Sequence, residues 1–319
     1  LEISPVHRRH DAGASAAATL ASPEPPPLPP LGRTLDVLLV WPRFTDSFWS
    51  LSGILELLPQ DVSHPPLGLI TVAALCPAHW KLRLIDLSHQ VLTDADIVAA
   101  DLVMVSGMRV QRDDMLDVLA RARRLGTRTI VGGPYASSQP DVLQPFVDHL
   151  VVGEPDEIFG VIARDLEQGT ARRRYVITEK PDVTCSPVPR FDLLDHRKYL
   201  SMAVQFSRGC PFQCEFCDII TIYGRKPRMK SPDQVIEECE ALRRLGWRGR
   251  VFVVDDNFIG NHKQALVLAE RMAEWQRVHG YPISFTTEAS MNLAQYPDLI
   301  EAMVRANFWS VFVGIESPS

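Results

Sequence analysis

The chain has 319 residues, 46% of them hydrophobic and 23% charged, with a formal net charge of −6. That composition belongs to a globular protein long enough for two domains, each with its own core. The negative balance gives no general electrostatic case for nucleic acid or an anionic membrane as partner, and no run of about eighteen apolar residues is present to span a bilayer.

Residues 1–33 hold seven of the 25 prolines, an alanine-rich run and the tract "SPEPPPLPP". Such a segment buries too little apolar surface to offset its ordering entropy, so it is expected to be disordered. Arg8 and Arg9 ahead of the alanines faintly suggest a signal peptide, but the run is too weakly hydrophobic for one. The chain opens on Leu1, which suggests a fragment or a misplaced start.

From residue 34 to 169, short apolar runs alternate with helical patterns. Residues 36–41, 82–87, 101–107, 128–133 and 148–154 read as strands. The segments between them predict helices, shortest at 94–100 and 139–146. Strands this uniformly apolar, alternating with helices, predict a doubly wound parallel sheet whose ligand crevice lies at the strand carboxyl ends. Those ends carry Ser106-Gly107, Gly132-Gly133 and Gly153-Glu154. Glycines there serve tight turns as readily as a ligand, so alone they decide nothing.

The order "ADLVMVSGM", helix, "TIVGGP", "HLVVGE" resembles the cobalamin-binding domain of corrinoid enzymes. The resemblance implies that Ser106, Gly107, Gly132, Gly133, Gly153 and Glu154 lie beside the cofactor's nucleotide tail. Many such domains carry an Asp-x-His-x-x-Gly loop after the first strand, whose histidine ligates cobalt. Here that loop is "WPRFTDSFWSLSG", without histidine. Any cobalamin is therefore expected base-off, with no protein His ligand. His64 and His89 are expected in surface loops. Trp41, Phe44, Phe48 and Trp49 serve either as packing or as a shield for the corrin face.

Residues 170–200 are proline-rich and aperiodic, which predicts an extended linker with Cys185 as a bystander. Beyond it, 202–209 reads as a strand running straight into "CPFQCEFC". Cys210, Cys214 and Cys217 fall within eight positions. Structural zinc wants four ligands, and no second pair exists. A disulfide framework is improbable in a chain so poor in cysteine. An iron–sulfur cubane is ordinarily held by four Cys, so three leave one iron open to a further ligand.

The pattern C-x3-C-x-φ-C, with Phe216 as φ, resembles the radical S-adenosylmethionine (SAM) superfamily. Downstream, Ser231, Pro232 and Gln234 form a capping-box start to a helix. Val235, Ile236, Cys239, Leu242 and Leu245 share one face of it, which makes Cys239 a core residue. Strands starting at 202, 250, 284 and 308, with helices between, are the repeat of a (βα) barrel, whose chemistry sits at strand carboxyl ends. Four strands against the superfamily's usual six suggest truncation after Ser319. The resemblance implies SAM contacts from Phe216, Asp255, Asp256, Asn257, Glu288 and Glu316 at these ends, with Ser317 beside them. Asn257 and Ser290 also suit helix capping. Arg228, in the basic loop "YGRKPRMKS", is a candidate for the SAM carboxylate or a cobalamin phosphate.

The expected organisation is a disordered segment 1–33, a cobalamin-binding-type domain 34–169, a linker 170–200 and a partial radical SAM barrel 201–319. That layout resembles cobalamin-dependent radical SAM methyltransferases, near the branch that includes hopanoid C-2 methylases. It implies a [4Fe–4S] cluster, SAM and cobalamin. An electron from the cluster would cleave SAM, and the resulting 5′-deoxyadenosyl radical would take hydrogen from an unactivated carbon. That carbon would then accept a methyl group from methylcobalamin. A small-molecule or lipid substrate, a flavodoxin or ferredoxin as electron donor, and a cytoplasmic location (at the membrane surface if the substrate is a lipid) follow from it. The alternatives are a non-methylating rearrangement or cyclisation, a methylthiotransferase, and a non-catalytic corrinoid-binding module. The methylthiotransferase would need a second cysteine set, and the first half offers only Cys76.

Overall fold

The computed structural model describes residues 34–45 and 52–315. Residues 1–33, Phe48, Trp49, Glu316 and Ser317, for which expectations are stated above, lie outside the described residues.

The first half builds β1 (Asp36–Trp41), α1 (Ser52–Leu55), α2 (Leu67–Leu75), β2 (Lys81–Asp86), α3 (Asp94–Val98), β3 (Leu102–Ser106) and α4 (Arg112–Leu125). It continues with β4 (Arg128–Gly132), α5 (Pro134–Ser138), α6 (Pro140–Leu143), β5 (His149–Val152), α7 (Phe159–Gln168) and β6 (Arg174–Val176). All pairings are parallel, in the order β2-β1-β3-β4-β5-β6. Alternate residues of each strand feed opposite faces. Val37 and Leu39 pack with α2 and α7, whereas Leu38 and Val40 pack with α3 and α4. Helices on both faces make the sheet doubly wound. Its order reverses between β1 and β3, which opens the crevice there.

β6 lies in the segment expected to be a linker. That strap is extended, but it is bonded throughout to the first sheet's side. Ile177 N donates to Val152 O at 2.9 Å, Arg190 N to Ile70 O at 3.0 Å and Leu200 N to Val62 O at 2.8 Å.

The second half contributes β7 (Ser201–Val204), β8 (Ser207–Arg208), α8 (Ile219–Ile222), β9 (Arg228–Met229), α9 (Pro232–Arg244) and β10 (Arg250–Val253). After them come α10 (His262–His279), β11 (Ser284–Glu288), α11 (Pro297–Arg305) and β12 (Phe308–Phe312). The parallel order is β12-β11-β10-β7, and β8 pairs antiparallel with β9. Helices α9, α10 and α11 cover one face, through Val235, Cys239, Leu268, Met272 and Leu299. Leu245 does not join that face: it is the C-cap of α9 and is exposed.

The strand expected over 202–209 is broken after Val204. Phe206 N donates 2.8 Å to Asp255 Oδ1, and the Ser207 hydroxyl donates 2.7 Å to Asp255 Oδ2. These bonds turn the chain out of the sheet and start the hairpin that carries the cysteines. Among the described residues no helix is long and apolar enough to cross a membrane.

Candidate cofactor site

Between the two sheets lies a cavity of about 1540 Å³, larger than the usual small-ligand pocket of roughly 300–1,000 Å³. The first domain lines it with the carboxyl ends of its strands, at Ser106, Gly132, Gly133, Gly153 and Glu154. The barrel lines it with Ala203, Phe252, Asp256 and Glu288. Period-two alternation explains the second set: Met202 and Val204 face the helices, so Ala203 faces inward.

Gly133 is required where it stands. Its φ is +91°, and a β-carbon there would lie 2.3 Å from Ser106 Oγ. A larger residue would close the crevice at the switch point. Gly107, also expected there, is not part of the lining. It packs on α4, where a β-carbon would meet Met115 Cε at 2.8 Å.

The acids at the strand ends divide. Asp255 is buried, and both its oxygens are engaged by Phe206 and Ser207. It is a strut of the fold, buried outside the cavity lining. Asp256 and Glu288 face the cavity. Burial raises the Asp256 carboxyl above its ordinary value, against the Gly209 N–H that donates to it at 2.7 Å. Glu288 is raised by burial and then by the Asp256 charge. Asn257 donates 3.0 Å to Ser290 Oγ and accepts from Ile259 N, so it closes a turn. Its side chain also reaches the Cys210 thiol.

Arg228 is not open to a cofactor. Its Nη2 lies 2.8 Å from Glu154 Oε1, and its Nη1 donates to Pro181 O at 2.8 Å. Glu154 is spent correspondingly, on Arg228 and on Arg208 at 3.0 Å. Both side chains join the domains, Glu154 at the cavity wall and Arg228 outside its lining. Sequence alone conceals this, because the partners are 74 residues apart.

His64 and His89 are not in open surface loops. The His64 ring lies 5.1 Å from that of Phe252 beside the cavity, and burial lowers its pKa to about 4, so it is neutral. The His89 ring packs edge-on against Tyr199. Arg208, Tyr223 and Asp156 also line the cavity without having been singled out. Only Arg208 carried a signal, as the cation just ahead of the Gly-Cys pair.

The cysteine loop starts at the wall of this cavity. Cys210 N donates to Gly224 O at 3.2 Å, and Cys217 N to Cys214 O at 3.2 Å. Cys214 is exposed, Cys210 and Cys217 are half-buried, and Phe216 is exposed beside them. Burial raises the Cys210 thiol, opposed by the Phe212 N–H and Asn257. None of the three is in a disulfide. Among the described residues no three His, Cys, Asp or Glu side chains converge as one ion requires. A cubane asks something different, with each thiolate on its own iron. The donor set, three free thiols on one short loop, fits that cluster. The glycine-lined crevice fits a large cofactor approached by backbone.

Residues 204–319 match the radical SAM superfamily, and residues 61–163 match the B12 binding domain family. A methyltransferase of Synechocystis sp., itself uncharacterized, is 48% identical over 282 residues, which cover 88% of this chain and 53% of that one. The hopanoid C-2 methylase of Rhodopseudomonas palustris is 39% identical over 287 residues, covering 88% and 54%. The chain thus spans about half the length of the curated relatives it matches. The radical SAM methyltransferase TsrM of Kitasatospora setae, solved with cobalamin and a [4Fe–4S] cluster, superposes with a TM-score of 0.65 at 16% identity, covering 89% of this chain and 59% of that one. OxsB, solved with aqua-cobalamin and SAM, gives 0.67 at 17% identity, covering 89% and 44%. Both likenesses show the fold. With the B12-binding match inside the doubly wound domain and the radical SAM match over the cysteine-bearing (βα) domain, the chain belongs to the B12-domain-containing branch of the radical SAM superfamily.

Proposed function

We propose that the protein is a cobalamin-dependent radical SAM enzyme that methylates an unactivated carbon of a small-molecule or lipid substrate. The observation that carries this is the shared cavity. The glycine-lined strand ends of one domain and the acid-bearing strand ends of the other open into a single space, and the three-cysteine loop leaves its wall at Arg208 and returns to it at Tyr223. In such an enzyme the cluster and SAM supply hydrogen abstraction, and cobalamin supplies the methyl group.

The chain's own residues divide the work of binding. Cys210, Cys214 and Cys217 hold the cluster and leave one iron open. Asp256 and Glu288 receive the amino group or ribose hydroxyls of SAM, and Phe216, within the cysteine loop, adds a further SAM contact. Ser106, Gly132, Gly133 and Gly153 cradle the nucleotide tail of cobalamin. The domain division follows that work, with the first domain read as extending through β6. We read the cobalamin as free of a histidine ligand, since His64 packs on Phe252. An electron donor such as a flavodoxin or ferredoxin, and a reducing compartment, are required by the same chemistry.

The test is anaerobic reconstitution of the full chain with iron, sulfide and hydroxocobalamin. About one cobalamin beside about four irons is expected, followed by transfer of labelled methyl from SAM. Iron without cobalamin would reduce the first domain to a scaffold. Absence of iron, under conditions that load a control enzyme, would overturn the reading. Nitrogen splitting in the cob(II)alamin resonance, lost in His64→Ala, would overturn the ligand-free cobalt.

A further inference from the structure

The residue before the cysteine motif's glycine is tied to the other domain. Arg208 Nη1 lies 3.0 Å from Glu154 Oε2 and 2.9 Å from Asp156 Oδ2, and its Nη2 donates to Ser186 Oγ at 3.1 Å. Across the β8–β9 hairpin, Arg228 takes Glu154 with both prongs, at 2.8 and 3.1 Å. All four side chains are nearly buried, between 5% and 13% exposed. Two guanidinium groups face two carboxylates, and Asp256 is a third acid within electrostatic reach of both cations. A buried pair gains little over apolar packing in stability, but breaking one side leaves a charge uncompensated. Geometry is what bidentate Arg–carboxylate pairs supply.

The network is aimed at Cys210. Gly209 follows Arg208 at φ +96°, with Gly224 O 2.9 Å and Lys226 O 3.0 Å from where a β-carbon would stand. Its N–H is held by Asp256 at 2.7 Å. On the far side, Glu154 follows Gly153, whose N–H donates 3.0 Å to Ser137 Oγ at the crevice. Glu154, Asp156, Arg208 and Asp256 all line the same cavity.

We infer that Arg208 and Arg228, clamped by Glu154 and Asp156 of the first domain, are positioning residues that set the Cys210 end of the cysteine loop relative to the cobalamin crevice. This rests on the proposed cluster at the three cysteines. The first domain, through two carboxylates, then controls the placement and electrostatic environment of a centre bound in the second.

The test compares wild type, Glu154→Gln and the double variant Glu154→Gln/Arg228→Met, each as the full chain loaded with iron, sulfide and cobalamin. The readouts are iron content, the cluster's midpoint potential and the resonance line shape of the reduced cluster. In Glu154→Gln the iron content is expected to hold. Its potential rises, because a negative charge is lost while both cations stay. In the double variant charge balance returns, and the potential moves back toward wild type, a reversal that follows from the charges and that progressive loss of packing would not give. An unchanged potential and line shape in Glu154→Gln overturn the inference, as does a further departure in the double variant. If Glu154→Gln does not fold, Arg228→Lys carries the test. It keeps the charge but loses the fork, so an altered line shape at near-wild-type potential is expected, and an unaltered one overturns the inference. Wild type without iron would instead remove the cluster reading itself.

Discussion

Asp255 and Asp256 leave β10 in succession, and successive residues of an extended chain face opposite ways. One is spent inside the fold and the other faces the cavity, a division that adjacent identical letters cannot reveal. Burial raises Asp255 to about 6 from 3.8, opposed by the bonds from Ser207 and Phe206. Between those values the unfolded chain has released its proton while the folded chain keeps it, so this group's contribution to stability falls as pH rises from about 4 to about 6 and is flat above. Asp255→Asn removes that contribution. Subtracting the variant's urea midpoints from those of wild type over that range should leave a difference that declines with pH. A difference independent of pH would mean that Asp255 is not the source. The cysteines divide by the same criterion of surroundings. Cys239 is fully buried on the inner face of α9, and Cys239→Ala is expected to keep its iron. Cys214→Ala, at an exposed loop position, is expected to lose most of it. Both assays are iron counts after identical reconstitution, and equal retention would remove Cys214 from the ligand set.

At the scale of elements, local signals were readable and long-range ones were not. The start of α9 lies wholly within four residues. Ser231 Oγ accepts from Gln234 N at 3.3 Å, and Gln234 Oε1 accepts from Ser231 N at 2.9 Å. Its capping box could therefore be written down from Ser-Pro-x-Gln alone. Removing it by Ser231→Ala is expected to cost about 1 kcal/mol in chemical denaturation, and a change near zero would mean that the end is held by its tertiary contact. That contact exists, since Gln234 Nε2 donates to Thr184 O at 2.8 Å in the strap. The strap itself gave no periodic signal. It consists of 3₁₀ turns, such as Val183–Cys185 and Phe191–Leu193, and the short edge strand β6. Its order comes from pairing with β5 at its start and, beyond that, from backbone bonds to α2 and to the loop at 61–63, partners more than a hundred residues away. The break after Val204 was hidden for the same reason, because Asp255, which imposes it, lies 49 positions beyond Phe206.

Across the whole molecule, the α3–α4 face of the first sheet keeps its own core, but its other face shares one with the second sheet. One continuous apolar cluster runs from Leu39 and Ile70 of the first domain, through Phe191, Leu194 and Tyr199 of the strap, to Val204, Leu268 and Phe285 of the second. The strap residues are the bridge. Phe191 is 2% exposed, and the Tyr199 hydroxyl donates 2.9 Å to the buried carboxylate of Asp86. Domains joined by a wet, polar contact unfold separately, whereas a shared dry core couples them. The wild-type chain is therefore expected to unfold in one transition. The same midpoint should be read from Trp80, in the first domain's part of the core, and from Trp275, in the second's, using single-tryptophan variants. Phe191→Ala deletes a side chain from the bridge, a loss of about 3–5 kcal/mol for a buried Phe. If the bridge is what couples the domains, that variant should split the two midpoints as well as lower them. A variant that unfolds earlier but still in one step would place the coupling elsewhere, in the ion network around Glu154 and Arg208. Two separate midpoints in the wild-type chain would refute the shared core outright.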